Sequence, residues 1–352
     1  MTKAALHTRI CDLFGVKYPI VQTGMGWVSG ARLTAATSAA GGLGILASAT
    51  MTLEQLQDAV REVKQRTTNP FGVNLRTDAG DIDQRIDILM AEKVRVASFA
   101  QAPGKDMVKR LKAAGIVTMP TIGAKRHAEK VAEWGVDAVI AQGHEGGGHT
   151  GAIPTSLLLP QAAAAVKIPV IGAGGFFDGR GLVAALAYGG AGIAMGTRFL
   201  LTKESTVPEA VKKLYLDTPV TGTVVTKAID GVPQRVIRTK LVEALEGKNP
   251  VAALASAAKH AWEFRALSGA STVSLLREGL AMKKQQELSW SQLAMAANAP
   301  MYTKASLVDG KPDVGVLPTG QVVGVIDELP TVADLLARIM KEAEETLERL
   351  GA

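Results

Sequence analysis

The residues best suited to chemistry sit in one short run, Gln142 to Gly151, with the sequence QGHEGGGHTG. Gly143, Gly146, Gly147, Gly148 and Gly151 let the backbone lie flat against a planar ligand. His149 adds a ring that titrates near neutrality and can serve as acid or base. His144 and Glu145 could pair on a metal, but no further His or Cys has ligand spacing, so no metal site is expected. A Ser/His/Asp triad has no support, because the GxSxG elbow is missing. His7, His127 and His260 read as ordinary structural histidines.

Two later clusters, Gly172-Ala173-Gly174-Gly175 and Met195-Gly196-Thr197, invite a phosphate, because glycine lets backbone N–H groups approach an anion closely. Each cluster alone reads equally well as relief of crowding; both together favour phosphate. The first lacks a full dinucleotide fingerprint and falls late in the chain, which weakens a Rossmann reading. Gln22-Thr23-Gly24-Met25-Gly26 and Asn74 add amides and an apolar surface at Met25. Phosphate at the two late clusters, amides from Gln22, Asn74 and Gln142, and the Met25 surface together suggest flavin mononucleotide (FMN), whose ring would carry the chemistry.

These clusters need a scaffold that brings them together. Eight short apolar or β-branched runs recur: Tyr18 to Gln22, Leu43 to Ala47, Phe71 to Leu75, Val94 to Phe99, Ile116 to Thr121, Asp137 to Gln142, Ile168 to Ala173 and Gly192 to Gly196. Stretches with helical spacing separate them, such as Leu53 to Val63 and Met107 to Ala114. Eight alternating units predict an α/β fold, a (β/α)8 TIM barrel, with an open doubly wound sheet as the alternative. The polar and Gly-rich clusters nearly all follow the strands. In a barrel they would meet on the carboxyl-terminal face, where residues as distant as Gln22 and Thr197 become neighbours.

After Leu200 the alternation stops. Val207 to Leu216, Thr239 to Leu245, Val251 to Leu267 and Val273 to Lys284 read as helices, broken by Thr221 to Gly231 and by an Asn298-Ala299-Pro300 turn. Gly315 to Gly324 is a second Gly-containing stretch, and Val332 to Leu350 is an amphipathic helix expected to pack back on the barrel wall. The expected organisation is a cofactor-binding barrel over 1–200, a mainly helical cap for substrate over 201–302, and a return segment with the last helix over 303–352.

Composition narrows the classes further. A 47% hydrophobic share with 20% charged residues suits a soluble protein with a large core. No window approaches the roughly 18 unbroken apolar residues of a bilayer span. The single cysteine, Cys11, and the absence of a secretory pattern near the start predict a cytoplasmic protein. The net charge of +6 is spread thinly rather than forming a basic stripe, so nucleic acid is not an expected partner. Leu201 to Pro300 carries 13 Lys and Arg against 9 Asp and Glu, which suits a small anionic ligand or a solvated helical surface.

Several motifs resemble the nitronate monooxygenase (2-nitropropane dioxygenase) family, which also contains flavin-dependent enoyl-thioester reductases. They are YPIVQTGMGWVSG (Tyr18 to Gly30), AGGLGILAS (Ala40 to Ser48), PFGVNL (Pro70 to Leu75), QGHEGGGHTG, IPVIGAGGFFDGRG (Ile168 to Gly181) and AMGTRFL (Ala194 to Leu200). The resemblance implies an FMN-bound barrel. Gln22, Gly24, Met25, Asn74, Gln142, Gly147, Gly148, Gly172 and Met195 would surround the flavin, and Gly174, Gly175, Gly196 and Thr197 would cradle its phosphate. His149 would be the catalytic histidine. The family's loop usually has Ala where Gly146 stands, and His144 occupies a variable position.

Further stretches, TVVTKAIDGVPQRVIRT (Thr223 to Thr239), ELSWSQLAMAANAPM (Glu287 to Met301) and GVLPTGQVVGVIDELP (Gly315 to Pro330), are similar to a branch of CoA-thioester oxidoreductases in bacterial steroid C/D-ring breakdown. That similarity implies reduction of an unsaturated acyl-CoA with NADH or NADPH as donor. His144, Arg235, Arg238 and Lys240 are the candidate substrate contacts, the three cations reading equally well as surface charges. The alternative is oxidation of alkyl nitronates by O2. A small-molecule partner is expected, no membrane, and a homodimer is allowed.

Overall fold

The computed structural model describes residues 5–247 and 290–351. Eight parallel strands close into a barrel: β1 (Ile20–Gln22), β2 (Leu43–Ala47), β3 (Phe71–Leu75), β4 (Val96–Phe99), β5 (Val117–Ile122), β6 (Val139–Gln142), β8 (Val170–Ala173) and β9 (Gly192–Met195). Closure is made by β1, which pairs with β2 on one side and with β9 on the other through Ile20↔Ile193, Val21↔Ala194 and Gln22↔Met195. The strands are short apolar runs because a barrel strand is covered on both faces, by side chains within and by helices without. All five residues of β2 are accordingly buried. The expected barrel is therefore present, and the open sheet is not.

Helices run between the strands and around them: α1 (Arg9–Phe14), α2 (Ala31–Ala39), α3 (Leu53–Arg66), α4 (Ile82–Ala91), α5 (Lys105–Ala113), α6 (Lys125–Glu133), α7 (Thr155–Ala165), α8 (Gly179–Ala187) and α9 (Thr197–Leu200). Local chemistry sets several of their starts. Thr52 and Gln55 form a reciprocal capping box on α3, and Asp178 accepts the Gly181 N–H at the start of α8. One core cluster takes side chains from β1, β2, β4, β5, β6, β8 and β9 together with Ile10 and Phe14 of α1. The helix that precedes β1 thus plugs the amino-terminal mouth and leaves the opposite face for the loops.

Beyond the barrel come α10 (Glu209–Leu216), a hairpin of β10 (Thr223–Thr226) and β11 (Gln234–Ile237), then α11 (Lys240–Glu246), α12 (Trp290–Leu307) and α13 (Val332–Leu350). The hairpin occupies the stretch read from sequence as a break between helices. The expected Asn298-Ala299-Pro300 turn is also absent: α12 runs through it with Pro300 inside, so the proline costs a local hydrogen bond but does not end the helix. The helices expected over Val251 to Leu267 and Val273 to Lys284 lie outside the described residues.

The last helix behaves as its pattern demands. Val332, Leu335, Leu336, Ile339, Met340 and Ala343 are buried on one face, each large aliphatic contributing about 1.5–3 kcal/mol. That face meets α8 and α2 on the barrel wall. At Gly179 the helices approach so closely that a Cβ would lie 2.4 Å from the Ala343 nitrogen and the Ile339 oxygen. No helix among the described residues is long and apolar enough to cross a membrane.

Candidate active site

The loops after the barrel strands converge on the carboxyl-terminal face, and close approaches between them trace a continuous rim. Gly24 of the β1 loop abuts the Asn74 side chain at the end of β3, and Gly196 after β9 sits beside Thr23 and Met25. Gly174 after β8 packs on Gly143 and Gly146 of the β6 loop, and Gly175 faces Glu145. The sequence clusters that were far apart are thereby neighbours.

The β1 loop is held from beneath. Gln22 is fully buried, and its Nε2 donates to Ser29 Oγ at 2.9 Å, to Ile45 O at 3.1 Å and to the Thr23 carbonyl. Ser29 Oγ in turn donates to Thr23 O and accepts the Met25 N–H, each at 2.9 Å. Gln22 Oε1 has no hydrogen-bond partner among the described residues. Gln22, expected beside a flavin, thus spends its amide nitrogen on shaping the loop that presents Gly24 and Met25. Trp27 adopts φ 66 and donates from Nε1 to Pro300 O at 3.1 Å, which ties the same loop to α12.

The β6 loop carries His149. Gln142, half-buried at the strand end, donates from Nε2 to His149 O at 2.7 Å. Gly148 and His149 form a short strand, β7, paired antiparallel with β11 through Gly148↔Arg235 and His149↔Gln234. The hairpin of the insert thus completes a three-stranded sheet with the loop. His149 Nε2 lies 2.6 Å from Asp230 Oδ2, the ring 62% exposed and the carboxylate 10% exposed.

Burial pushes the Asp230 carboxyl up. Hydrogen bonding to His149, its charge, the Val232 N–H and the Gln234 side chain outweigh burial and hold the carboxyl below the usual range. Asp230 was not foreseen. The available signal was Asp230-Gly231 between Thr223-Val224-Val225-Thr226 and Gln234-Arg235-Val236-Ile237, a turn pair flanked by β-branched runs.

Arg235 is 4% exposed, with Nε and Nη2 donating to His144 O and Nη1 donating to Thr223 Oγ1 at 2.9 Å. Burial pulls this guanidinium down from its ordinary value, and the Glu145 charge opposes that pull. Arg235 is therefore a clamp on the loop rather than a surface cation, whereas Arg238 and Lys240 are exposed. His144 is half-buried, its Nδ1 2.8 Å from Gly151 O. The Glu145 carboxylate accepts the Thr155 N–H and hydroxyl at the start of α7, at 2.9 and 2.8 Å. It is engaged with a helix terminus, as a carboxylate there should be. Among the described residues no group of His, Cys, Asp and Glu could hold a metal ion.

At the ends of β8 and β9, glycines bring backbone amides to the rim. Among the described residues the backbone N–H groups of Gly175, Gly196 and Thr197 have no backbone acceptor, whereas the ladder pair Ala173↔Ala194 turns the Gly174 N–H toward the neighbouring strand. Gly174 and Gly175 have φ of 91° and 84°, which glycine adopts without strain. Three unspent amides just past adjacent strands suit a phosphate. Gly172 and Met195 lie behind this rim. The missing side chain of Gly172 makes room for Phe176 and Leu159, and Met195 is 2% exposed in the core between barrel and helices.

The return segment lies over this rim. Gly320 N donates to Thr197 Oγ1 at 2.9 Å, Gln321 N to Glu145 O at 3.0 Å and Thr319 N to Arg235 O at 3.3 Å. Gly147 has no room for a Cβ against Thr319 and Gly320.

With this geometry in view, the profile of the nitronate monooxygenase family matches residues 7–84 and 78–342. The chain belongs to that family. This nitronate monooxygenase family member is an oxidoreductase, and its nearer relatives narrow the chemistry. It is 55% identical over 349 residues, 99% of both chains, to a (3aS,4S,5R,7aS)-5-hydroxy-7a-methyl-1-oxo-octahydro-1H-indene-4-carboxyl-CoA dehydrogenase of Rhodococcus jostii (strain RHA1). A protein of the same name from Mycobacterium tuberculosis is 55% identical over 350 residues, again 99% of both. Among solved structures, FabK from Thermotoga maritima superposes with a TM-score of 0.80 at 32% identity, covering 98% of each chain.

Proposed function

We propose that this protein is an FMN-dependent oxidoreductase acting on the CoA thioester of a hydroxylated bicyclic acid from steroid C/D-ring breakdown, with NAD(H) or NADP(H) as its redox partner. The observation that carries this reading is the 55% identity, over 99% of both chains, to dehydrogenases of such a thioester. Their name specifies oxidation, so the reaction runs toward removal of hydrogen. Reduction of an unsaturated acyl-CoA, the direction expected from sequence, is the reverse of the same couple. A CoA thioester and a nicotinamide partner suit a cytoplasmic protein.

The residues present fit FMN. The amides of Gly175, Gly196 and Thr197 would hold its phosphate, while Gly24, Met25, Asn74, Gln142, Gly147 and Gly148 would border its ring. The cofactor, when bound, accepts or returns the hydride. The chain's own part is to bind, orient and move a proton. His149, exposed on a loop fixed by β11 and Gln142, takes the proton from the carbon next to the thioester carbonyl and returns it in the reverse direction. Arg238 and Lys240, both exposed, would meet CoA phosphates from the surface. The division into a 1–200 barrel, a 201–302 substrate segment and a 303–352 return belongs to this reading, since the hairpin of the second segment grips the loop that carries His149.

Anaerobic assays of the purified protein with FMN test the proposal. The saturated hydroxy-indane-carboxyl-CoA should drive NADH or NADPH formation. Oxygen uptake with propionate 3-nitronate, and no reaction with the thioester, would establish the nitronate alternative instead.

A further inference from the structure

We infer that Asp230 is the positioning residue for His149, holding a proton on Nε2 so that Nδ1 is the nitrogen that takes the substrate proton. This rests on His149 as the proton-transfer group. The contact is 2.6 Å long and joins residues 81 apart, one on the barrel loop and one at the turn of the β10–β11 hairpin. Asp230 is 8% exposed, and its other oxygen accepts the Val232 N–H at 3.1 Å. An ionised carboxylate only accepts, so the shared hydrogen belongs to Nε2 and the lone pair of the neutral ring to Nδ1. Among the described residues Nδ1 has no hydrogen-bond partner, on a ring that is 62% exposed.

Among the described residues the charges facing this loop from β6 and β11 are otherwise committed, and Lys227 of the hairpin turn is exposed to solvent. Glu145, on the loop itself, holds Thr155, and Arg235 of β11 holds His144 O and Thr223. Gln142 of β6 and Gln234 of β11 are neutral. Among the described residues, Asp230 is the charged group that meets the ring. The backbone of His149 is fixed by β11 and by Gln142, so the carboxylate has only the side-chain torsions left to set. When Nδ1 gains the proton, the C–H electron pair stays on the substrate carbon and the new imidazolium charge rests against Asp230. The hydride that completes the oxidation leaves the adjacent carbon and is no part of this step.

The test is nitrogen NMR of the His149 ring in histidine-labelled full-length protein, which reads the ring tautomer and needs neither substrate nor turnover. The wild-type ring should carry its proton on Nε2, and Asp230→Asn, whose amide donates to Nε2, should move it to Nδ1. In turnover, Asp230→Asn should lower kcat about 100-fold or more with little change in KM, and Asp230→Glu should restore the wild-type tautomer and much of the rate. If Asp230→Asn fails to fold, the wild-type tautomer alone decides, since a ring protonated on Nδ1 overturns the pairing. A tautomer change without thioester turnover supports the pairing and sinks the proposed reaction. A tautomer unchanged in folded Asp230→Asn overturns the pairing, whatever the substrate proves to be.

Discussion

Arg235 donates from both Nε and Nη2 to the carbonyl oxygen of His144, at 3.3 and 3.1 Å, across 91 residues of sequence. The bond fastens the insert hairpin to the loop that carries His144 and His149. A residue that looked like a phosphate ligand is thus consumed inside the protein.

Replacing Arg235 with lysine should destabilise the fold by about 2 kcal/mol, because a single ammonium cannot reproduce the forked contact and leaves the His144 carbonyl or the Thr223 hydroxyl unmatched. Urea unfolding midpoints measure this. A midpoint equal to that of wild type would show that the clamp is dispensable.

Gly175→Ala should raise the FMN dissociation constant about tenfold. A Cβ there meets nothing closer than 3.9 Å, so the obstacle is the φ of 84°, which costs an L-residue about 1–2 kcal/mol. The expectation is that the ligand-free loop of the variant relaxes, so that binding must restore the strained form. Quenching of flavin fluorescence reads the affinity, and thermal stability should be nearly unchanged.

Gly179→Ala should do the reverse, leaving FMN affinity intact while lowering stability by about 1–3 kcal/mol. Its Cβ would meet the backbone of α13 at 2.4 Å, and backbone cannot swing aside as a side chain can. Paired calorimetry and flavin titration separate the two effects.

Acid stability should depend on Asp230. Its folded-state pKa is lowered, so its stabilising contribution is complete above the ordinary aspartate value of about 3.9 and disappears as pH falls through the lower folded value. Asp230→Asn should therefore be less stable than wild type at neutral pH, and the two should converge in strong acid. Unfolding curves across that range would show parallel behaviour if the carboxylate carries no stabilisation.

The barrel was legible because each parallel strand is a compact apolar run with its polar residues pushed to the carboxyl end, as in Val139 to Gln142 and Gly192 to Thr197. The insert was harder. Val224 and Val225 look like part of a polar connection until Val236 and Ile237 are recognised as their partners across Asp230-Gly231. Pairing is a relation between segments, so no single window contains it. Side-chain direction was equally hidden. Gln22 and Arg235 have the chemistry of ligand contacts, but burial against Ile45 O and His144 O assigns them to loop building.

The bond from Gly320 to Thr197 spans 123 residues, so the rim after β9 gains its cover only once the chain through Gly320 has left the ribosome. A prematurely terminated product would carry the bare amides but not the strap above them.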